Sequence, residues 1–212
     1  MSDEQALRHD LVRLAKSLFD RGLTPGASGN ISVRCGDELL CTPTNSCLGF
    51  LEAARISKVS MTGEHMSGDP PTKEMPLHLA IYAARPSARA VAHLHSTYAT
   101  LLSCLASTDP DDAIAPITPY VVMRVGRVAV IPYVKPGDPA IVPLIRAKAP
   151  DHPALLLANH GPVVAGLSLE GAVHALEELE ETAKLTILSQ GLRVNTLTTD
   201  EVADLERSFK LK

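Results

Sequence analysis

Leu7, Leu11, Leu14 and Leu18 recur three or four positions apart behind an acidic start, which predicts an amphipathic helix stopped by Gly22. TPGASGN follows as a loop, and ISVR, ELLCTP and KVSM read as short strands, the last closed by a polar turn, TGEHMSGDPP. Glu74 to Arg85 is patterned as a helix ending before Pro86. ARAVAHLH is apolar enough for a buried strand, and STYATLLSCLA reads as a helix with Ser96 at its N-cap. RVAVIPYV and ALLLAN are two more strands with a helix between them starting near Asp138; the turn HGP then leads into a short strand, VVAG. Ser168 is placed to cap a long helix whose Leu169, Ala172, Val173, Leu176, Leu179, Ala183 and Ile187 share one face. A last helix begins near Thr199, with Asp200 and Glu201 in its first turn. There is no repeat and no linker, so residues 1–212 are expected to form one domain. Helices and strands intermix without strict βαβ alternation. The predicted class is α/β: three layers, with a mixed, largely antiparallel sheet covered by helices on both faces.

Composition narrows this further. The apolar content is aliphatic, with no Trp, three Phe and four Tyr, which suits helices packed on a sheet rather than an aromatic binding platform. A net charge of −4 without a Lys/Arg tract excludes a nucleic-acid binder, so any bound anion must be caught locally. Cys35, Cys41, Cys47 and Cys104 form no CxxC pair and are expected to be reduced. The opening MSDEQALRHD has no signal-peptide pattern, and Arg124, Arg127 and three prolines interrupt the apolar stretch from Ala113 to Val134. No membrane span is expected, and the expected compartment is the cytoplasm.

Three of the eight histidines stand apart. His93 and His95, in VAHLHS, share a face near the end of a strand, where two imidazoles can close on one cation; an HxH alone is a weak sign of that. His160, in ALLLANHGP, stands where an apolar strand runs out, either a turn residue or a functional one. His9, His65, His78, His152 and His174 read as structural, although His78 lies four residues after Glu74 on the same helix face. Gly26, Ser28, Gly29 and Asn30 form a small-residue loop that lets a ligand approach the backbone, and the turn TPTNS offers Thr44, Asn45 and Ser46. Thr72, Lys73 and Glu74 open a helix, where free N–H groups favour an anion. Glu74 either complements the helix dipole or serves as a proton-transfer carboxylate.

Taken in order, GASGN, TPT, TKE, HLH and NHG resemble the class II aldolase/adducin superfamily, typified by L-fuculose-phosphate aldolase, over almost the whole chain. The stretches TPTNSCLGFLEAARIS, ITPYVVMRVG, YVKPGDPA and EELEETAKL are most similar to its 3-oxo-tetronate 4-phosphate decarboxylases. The resemblance implies a homotetramer with sites between subunits and one Zn²⁺ per subunit on His93, His95 and His160, with Glu74 as a further ligand when substrate is absent. It implies that Ser28, Gly29, Asn30, Thr44, Asn45, Thr72 and Lys73 cradle substrate and phosphate, and that Glu74 is the catalytic acid/base. Tyr120 is placed as a proton donor from a neighbouring subunit. The implied reaction is zinc-dependent decarboxylation of a phosphorylated sugar acid, a 3-oxo-tetronate 4-phosphate, to dihydroxyacetone phosphate and CO2 through a stabilised enediolate. The alternative is a zinc aldolase that cleaves a sugar phosphate to dihydroxyacetone phosphate and an aldehyde. Where the aldolase pattern has two serines before the acid, this chain has Thr72 and Lys73, an added charge suited to a substrate bearing both phosphate and carboxylate.

Overall fold

The computed structural model describes residues 3–209; the two residues before and the three after lie outside it. The leucine-striped opening segment is helix α1 (Asp3–Asp20), and its buried residues are Leu11, Leu14, Ala15 and Leu18. The strands are β1 (Asn30–Cys35), β2 (Glu38–Cys41), β3 (Ser57–Ser60), β4 (His65–Ser67), β5 (Ala90–His93), β6 (Val128–Ile131), β7 (Ala154–Leu157) and β8 (Gly161–Gly166). They make one eight-stranded sheet in the order β4-β3-β2-β1-β5-β8-β7-β6. Among the described residues only the β6–β7 pair is parallel, so the sheet is mixed and largely antiparallel as predicted.

The remaining helices are α2 (Met75–Ala84), α3 (Thr97–Cys104), α4 (Ile141–Lys148), α5 (Leu169–Leu188) and α6 (Thr199–Ser208). Period-two alternation along each strand sends side chains to opposite faces, and two cores result. One face, with Ile31, Val33, Ala92 and Val164, is covered by α1, α3 and α5 through Leu14, Ala99, Leu176 and Leu179. The other, with Leu39, Val59, Val91 and Leu155, is covered by α2 and α4 through Leu77, Ile81 and Ile145. Ser168 caps α5 by accepting from Gly171 N at 2.9 Å, as its position predicts. Thr198 and Glu201 form a reciprocal capping box at α6.

Several local expectations are corrected. The polar segment after β3 contains the exposed edge strand β4, which pairs with β3 across an irregular register; its side chains carry no apolar alternation to announce it. The strand holding His93 stops at that residue, because its neighbour β1 begins at the partner position Asn30. The HGP turn lies one step earlier: Ala158 to His160 make the turn, Asn159 adopts φ 57°, and Gly161 and Pro162 already belong to β8. The helix expected near Asp138 begins at Ile141, and Asp138 instead accepts from Ala140 N within the preceding turn. Ser96 occupies the N-cap position of α3 but makes no side-chain cap; its Oγ is buried and unpartnered. The carboxylate of Glu180 on α5 caps that helix instead, accepting from Tyr98 N at 2.9 Å and Ala99 N at 2.8 Å. Cys35, Cys41, Cys47 and Cys104 are free thiols, and among the described residues no helix is long and apolar enough to cross a membrane.

Candidate metal centre and substrate site

The antiparallel register β5–β8 sets His93 opposite Val163, and the turn between β7 and β8 returns His160 to the same end of the sheet. His95 follows two residues after His93, in the short link between β5 and α3. The Nε2 atoms converge, His95 to His93 at 3.2 Å and His93 to His160 at 3.3 Å. Glu74, the residue before α2, sets Oε2 3.4 Å from His93 Nε2 and Oε1 3.7 Å from His160 Nε2. Ligand atoms of all four residues lie within 4.8 Å of one another.

This cluster suits a metal ion on its own geometry. Four-coordinate zinc with Zn–N bonds of about 2.0–2.1 Å places two nitrogens roughly 3.3 Å apart, the spacing seen here. The His93 ring donates from Nδ1 to the carbonyl of Pro162 at 2.8 Å, which leaves Nε2 with a free lone pair aimed at the other two rings. Burial first, and then the neighbouring rings, hold the pKa of His93 well below the usual histidine value. His95 is lowered by burial and by His160, and His160 by burial against the opposing pull of Glu74. Three neutral imidazoles are competent ligands for a divalent cation, whereas three protonated ones would repel it.

Two glycines permit the convergence. Gly29 has φ +79°, and a Cβ there would stand 2.9 Å from Leu94 Cδ2 and 3.0 Å from His93 O. A Cβ at Gly161 would stand 2.4 Å from Leu94 O. The loop before β1 therefore presses directly on the histidine-bearing segment, and so does the start of β8.

The other predicted site residues are placed as follows. In the loop before β1, Thr24 Oγ1 donates to Ser28 O at 2.7 Å, and Ser28 Oγ turns back to Pro25 O at 2.5 Å. Asn30 is buried, and its side-chain amide donates to Glu74 Oε2 at 2.8 Å. Thr44 and Asn45 lie in the turn after β2, where Asn45 adopts φ 54°. A Pro43–Pro71 bridge and a bond from Thr72 N to Thr42 O at 3.2 Å set that turn beside Thr72 and Lys73. Thr72 Oγ1 accepts from Glu74 N at 3.3 Å, and Lys73 is exposed. Gly137, in the loop after β6, packs on the Lys73 carbonyl and brings that loop to the same rim. Tyr120 is not part of this cluster within one chain. Half exposed, it lies at the start of a π-helical turn (Val121–Val125), with Arg124 5.9 Å from its ring. It borders a separate cavity with Arg21, His174 and Glu177.

Residues that look structural in the sequence also converge here. His78 is completely buried; its Nε2 lies 2.5 Å from Asn30 Oδ1, and its Nδ1 lies 2.7 Å from Ser32 Oγ. Ser32 Oγ is in turn 3.0 Å from the buried Tyr82 hydroxyl. The available signal was a polar stripe, Glu74, His78 and Tyr82, four apart on an otherwise apolar helix.

Three histidines and a carboxylate that could hold a metal ion meet at one end of this sheet, and the family match gives the fold its class. The chain belongs to the class II aldolase and adducin N-terminal domain family, whose model matches residues 9–187. It is 51% identical over 206 residues to a 3-oxo-tetronate 4-phosphate decarboxylase of Pectobacterium atrosepticum, covering 97% of this chain and 94% of that protein. A protein of the same name in Escherichia coli K12 is 50% identical over 203 residues, covering 95% and 96%. Among solved structures, YgbL of Klebsiella pneumoniae, proposed to be an aldolase, epimerase or decarboxylase, superposes with TM-score 0.93 at 49% identity, over 97% of this chain and all (100%) of that one. An L-fuculose 1-phosphate aldolase superposes with TM-score 0.87 at 27% identity, covering 100% and 98%.

Proposed function

We propose that this chain is a carbon–carbon lyase that decarboxylates a 3-oxo-tetronate 4-phosphate to dihydroxyacetone phosphate and CO2. The observation that carries the reading is a carboxylate seated against three converging neutral imidazoles, beside a turn and a helix start suited to a phosphate. Similarity to curated decarboxylases at about half identity supports it.

In the reaction the bond between C1 and C2 breaks and its electron pair passes to C2, conjugated with the C3 carbonyl; CO2 leaves, and a proton then reaches C2. We assign His93, His95 and His160 as the ligands of one Zn²⁺ per subunit, which when bound supplies Lewis-acid stabilisation for the charge that develops on oxygen. Glu74, at the edge of the cluster, is the group assigned to take up a proton from solvent and deliver it to C2. The backbone and side chains of Ser28, Gly29, Asn30, Thr44, Asn45, Thr72 and Lys73 form the substrate and phosphate seat. Binding at the phosphate positions the reacting carbons without contacting the breaking bond. Lys73 adds a cation at the rim, suited to a substrate that carries a carboxylate as well as a phosphate.

We further propose a homotetramer in which the partner subunit's Tyr120 completes the proton-transfer machinery. The position of Tyr120 away from Glu74 within one chain supports that, as do the exposed Leu185, Leu188 and Leu192 around the end of α5. Residues 1–212 form one domain in this reading, and the four free thiols suit the cytoplasm. The test is a coupled assay for dihydroxyacetone phosphate, with simultaneous CO2 detection, on D- and L-configured 3-oxo acid phosphates. Release of an aldehyde from a sugar phosphate, without CO2 from the 3-oxo acid, would favour the aldolase reading instead.

A further inference from the structure

On α2, Glu74, His78 and Tyr82 recur every four residues, a rise of about 6 Å per step. On β1, the side chains of Asn30 and Ser32 share the face that packs on α2, about 6.8 Å apart along the strand. The two spacings nearly match, so a polar stripe on the helix registers with a polar stripe on the strand inside an apolar layer. Asn30, Ser32, His78 and Tyr82 are all buried.

The direction of every hydrogen bond in this stripe follows from the charge at its end. Glu74 is an acceptor when ionised, so the Asn30 amide must turn its N–H toward Oε2, at 2.8 Å. Asn30 Oδ1 then faces His78 Nε2 at 2.5 Å, and Nε2 must carry the ring proton. Nδ1 of the neutral ring is a bare acceptor for the Ser32 hydroxyl at 2.7 Å, and Ser32 Oγ accepts from Tyr82 at 3.0 Å. Burial keeps the ring neutral, with its pKa lowered to about 3. All donors point one way, from Tyr82 to Glu74, and each bond polarises the next. An amide does not relay protons, so the chain holds Glu74 in place and does not feed it.

We infer that His78, held in its Nε2–H tautomer with Ser32 donating to Nδ1, is a positioning residue that locks the Asn30 amide and thereby aims the Glu74 carboxylate at the reacting carbon. The inference rests on the role given to Glu74 above. Without the Nε2 donor, Asn30 Oδ1 loses its partner, and the amide, tied only to Glu74, is free to swing together with the carboxylate.

The experiment compares wild type, His78→Leu and His78→Gln, each loaded with metal; Gln retains an N–H donor near the Nε2 position. The expected result for His78→Leu is a fall in kcat of about 30-fold with KM changed less than about twofold, and for His78→Gln recovery to within about fivefold of wild type. In an Asn30→Ala background, His78→Leu should add almost no further loss. Equal losses in both His78 variants, a matching rise in KM, or additive losses with Asn30→Ala would overturn the inference. Nitrogen-15 NMR of the wild-type protein gives a second readout that needs neither substrate nor a variant that folds. A ring proton on Nε2 between pH 5 and 8 supports the chain, and a proton on Nδ1 or a charged ring at pH 6 refutes it. A wild type that released no CO2 would refute the proposed reaction and leave the NMR result to judge the chain alone.

Discussion

Glu180→Gln should destabilise the protein and loosen its metal centre together. Glu180 is buried on α5, and its two oxygens accept from the first free N–H groups of α3 at 2.9 and 2.8 Å. His95 lies only two residues before that helix, so the carboxylate anchors the segment that carries a metal-ligand candidate. A glutamine can accept from one N–H, but its own NH2 then faces the other donor. The change removes one charge-assisted bond of about 1.5–3 kcal/mol and a favourable pairing with the helix dipole of about 1 kcal/mol. Burying a neutral amide costs less than burying a carboxylate, which returns part of that loss. The expected net loss is about 2 kcal/mol, which in a chain of this size lowers Tm by about 6 °C. Urea denaturation and calorimetry measure the first effect, and metal content after gel filtration against a weak chelator measures the second. A Tm within about a degree of wild type, with full metal retention, would refute the anchoring role.

Gly29→Ala should cost about 2–3 kcal/mol, because it combines a left-handed backbone with contacts of 2.9 Å to Leu94 and 3.0 Å to His93 O. The displaced His93 segment should also lower kcat at least about tenfold, so steady-state kinetics and urea unfolding check the same variant. For His78, the folded-state pKa of about 3 lies below the usual 6.5, so the unfolded chain binds the extra proton. Its contribution is therefore complete above about pH 6.5 and shrinks as the pH falls toward 3; at pH 5 wild type should have lost about 2 kcal/mol relative to His78→Gln. Unfolding free energies of the two proteins at pH 7 and pH 5 test this, and parallel pH profiles would contradict it. Lys73→Ser should weaken a phosphate that also bears a carboxylate by about tenfold more than one without it, measured by calorimetric titration; unchanged discrimination counts against the role of Lys73.

The helices were legible because leucines and alanines repeat at helical spacing on α1 and α5, and Ser168 stands where the α5 pattern begins. The metal cluster was legible only as pieces. HLH put two imidazoles on one strand end, but nothing local tied His160, some 65 residues on, to the same point. Motif order across the chain supplied that link. The sheet register now explains it, because the end of β5 and the turn before β8 are neighbours. Glu180 is not legible in the sequence because its pattern is that of a helix-surface carboxylate; only the crossing of α5 over the start of α3 turns it inward. His78 looks structural in the sequence because its partners, Asn30 and Ser32, lie more than 40 residues away and meet it only once α2 is laid on β1. Edge strand β4 and the π-helical turn at Val121–Val125 carry no periodic signal, since one is exposed throughout and the other departs from the helical period.

The most direct test of the central claim is to follow metal content and CO2 release on one preparation through chelation and reconstitution. The protein should carry about one Zn²⁺ per chain, lose CO2 and dihydroxyacetone phosphate formation as the ion is stripped, and recover both on its return. Full turnover by rigorously metal-free protein, or a His160→Ala variant that keeps both its ion and its rate, would contradict it.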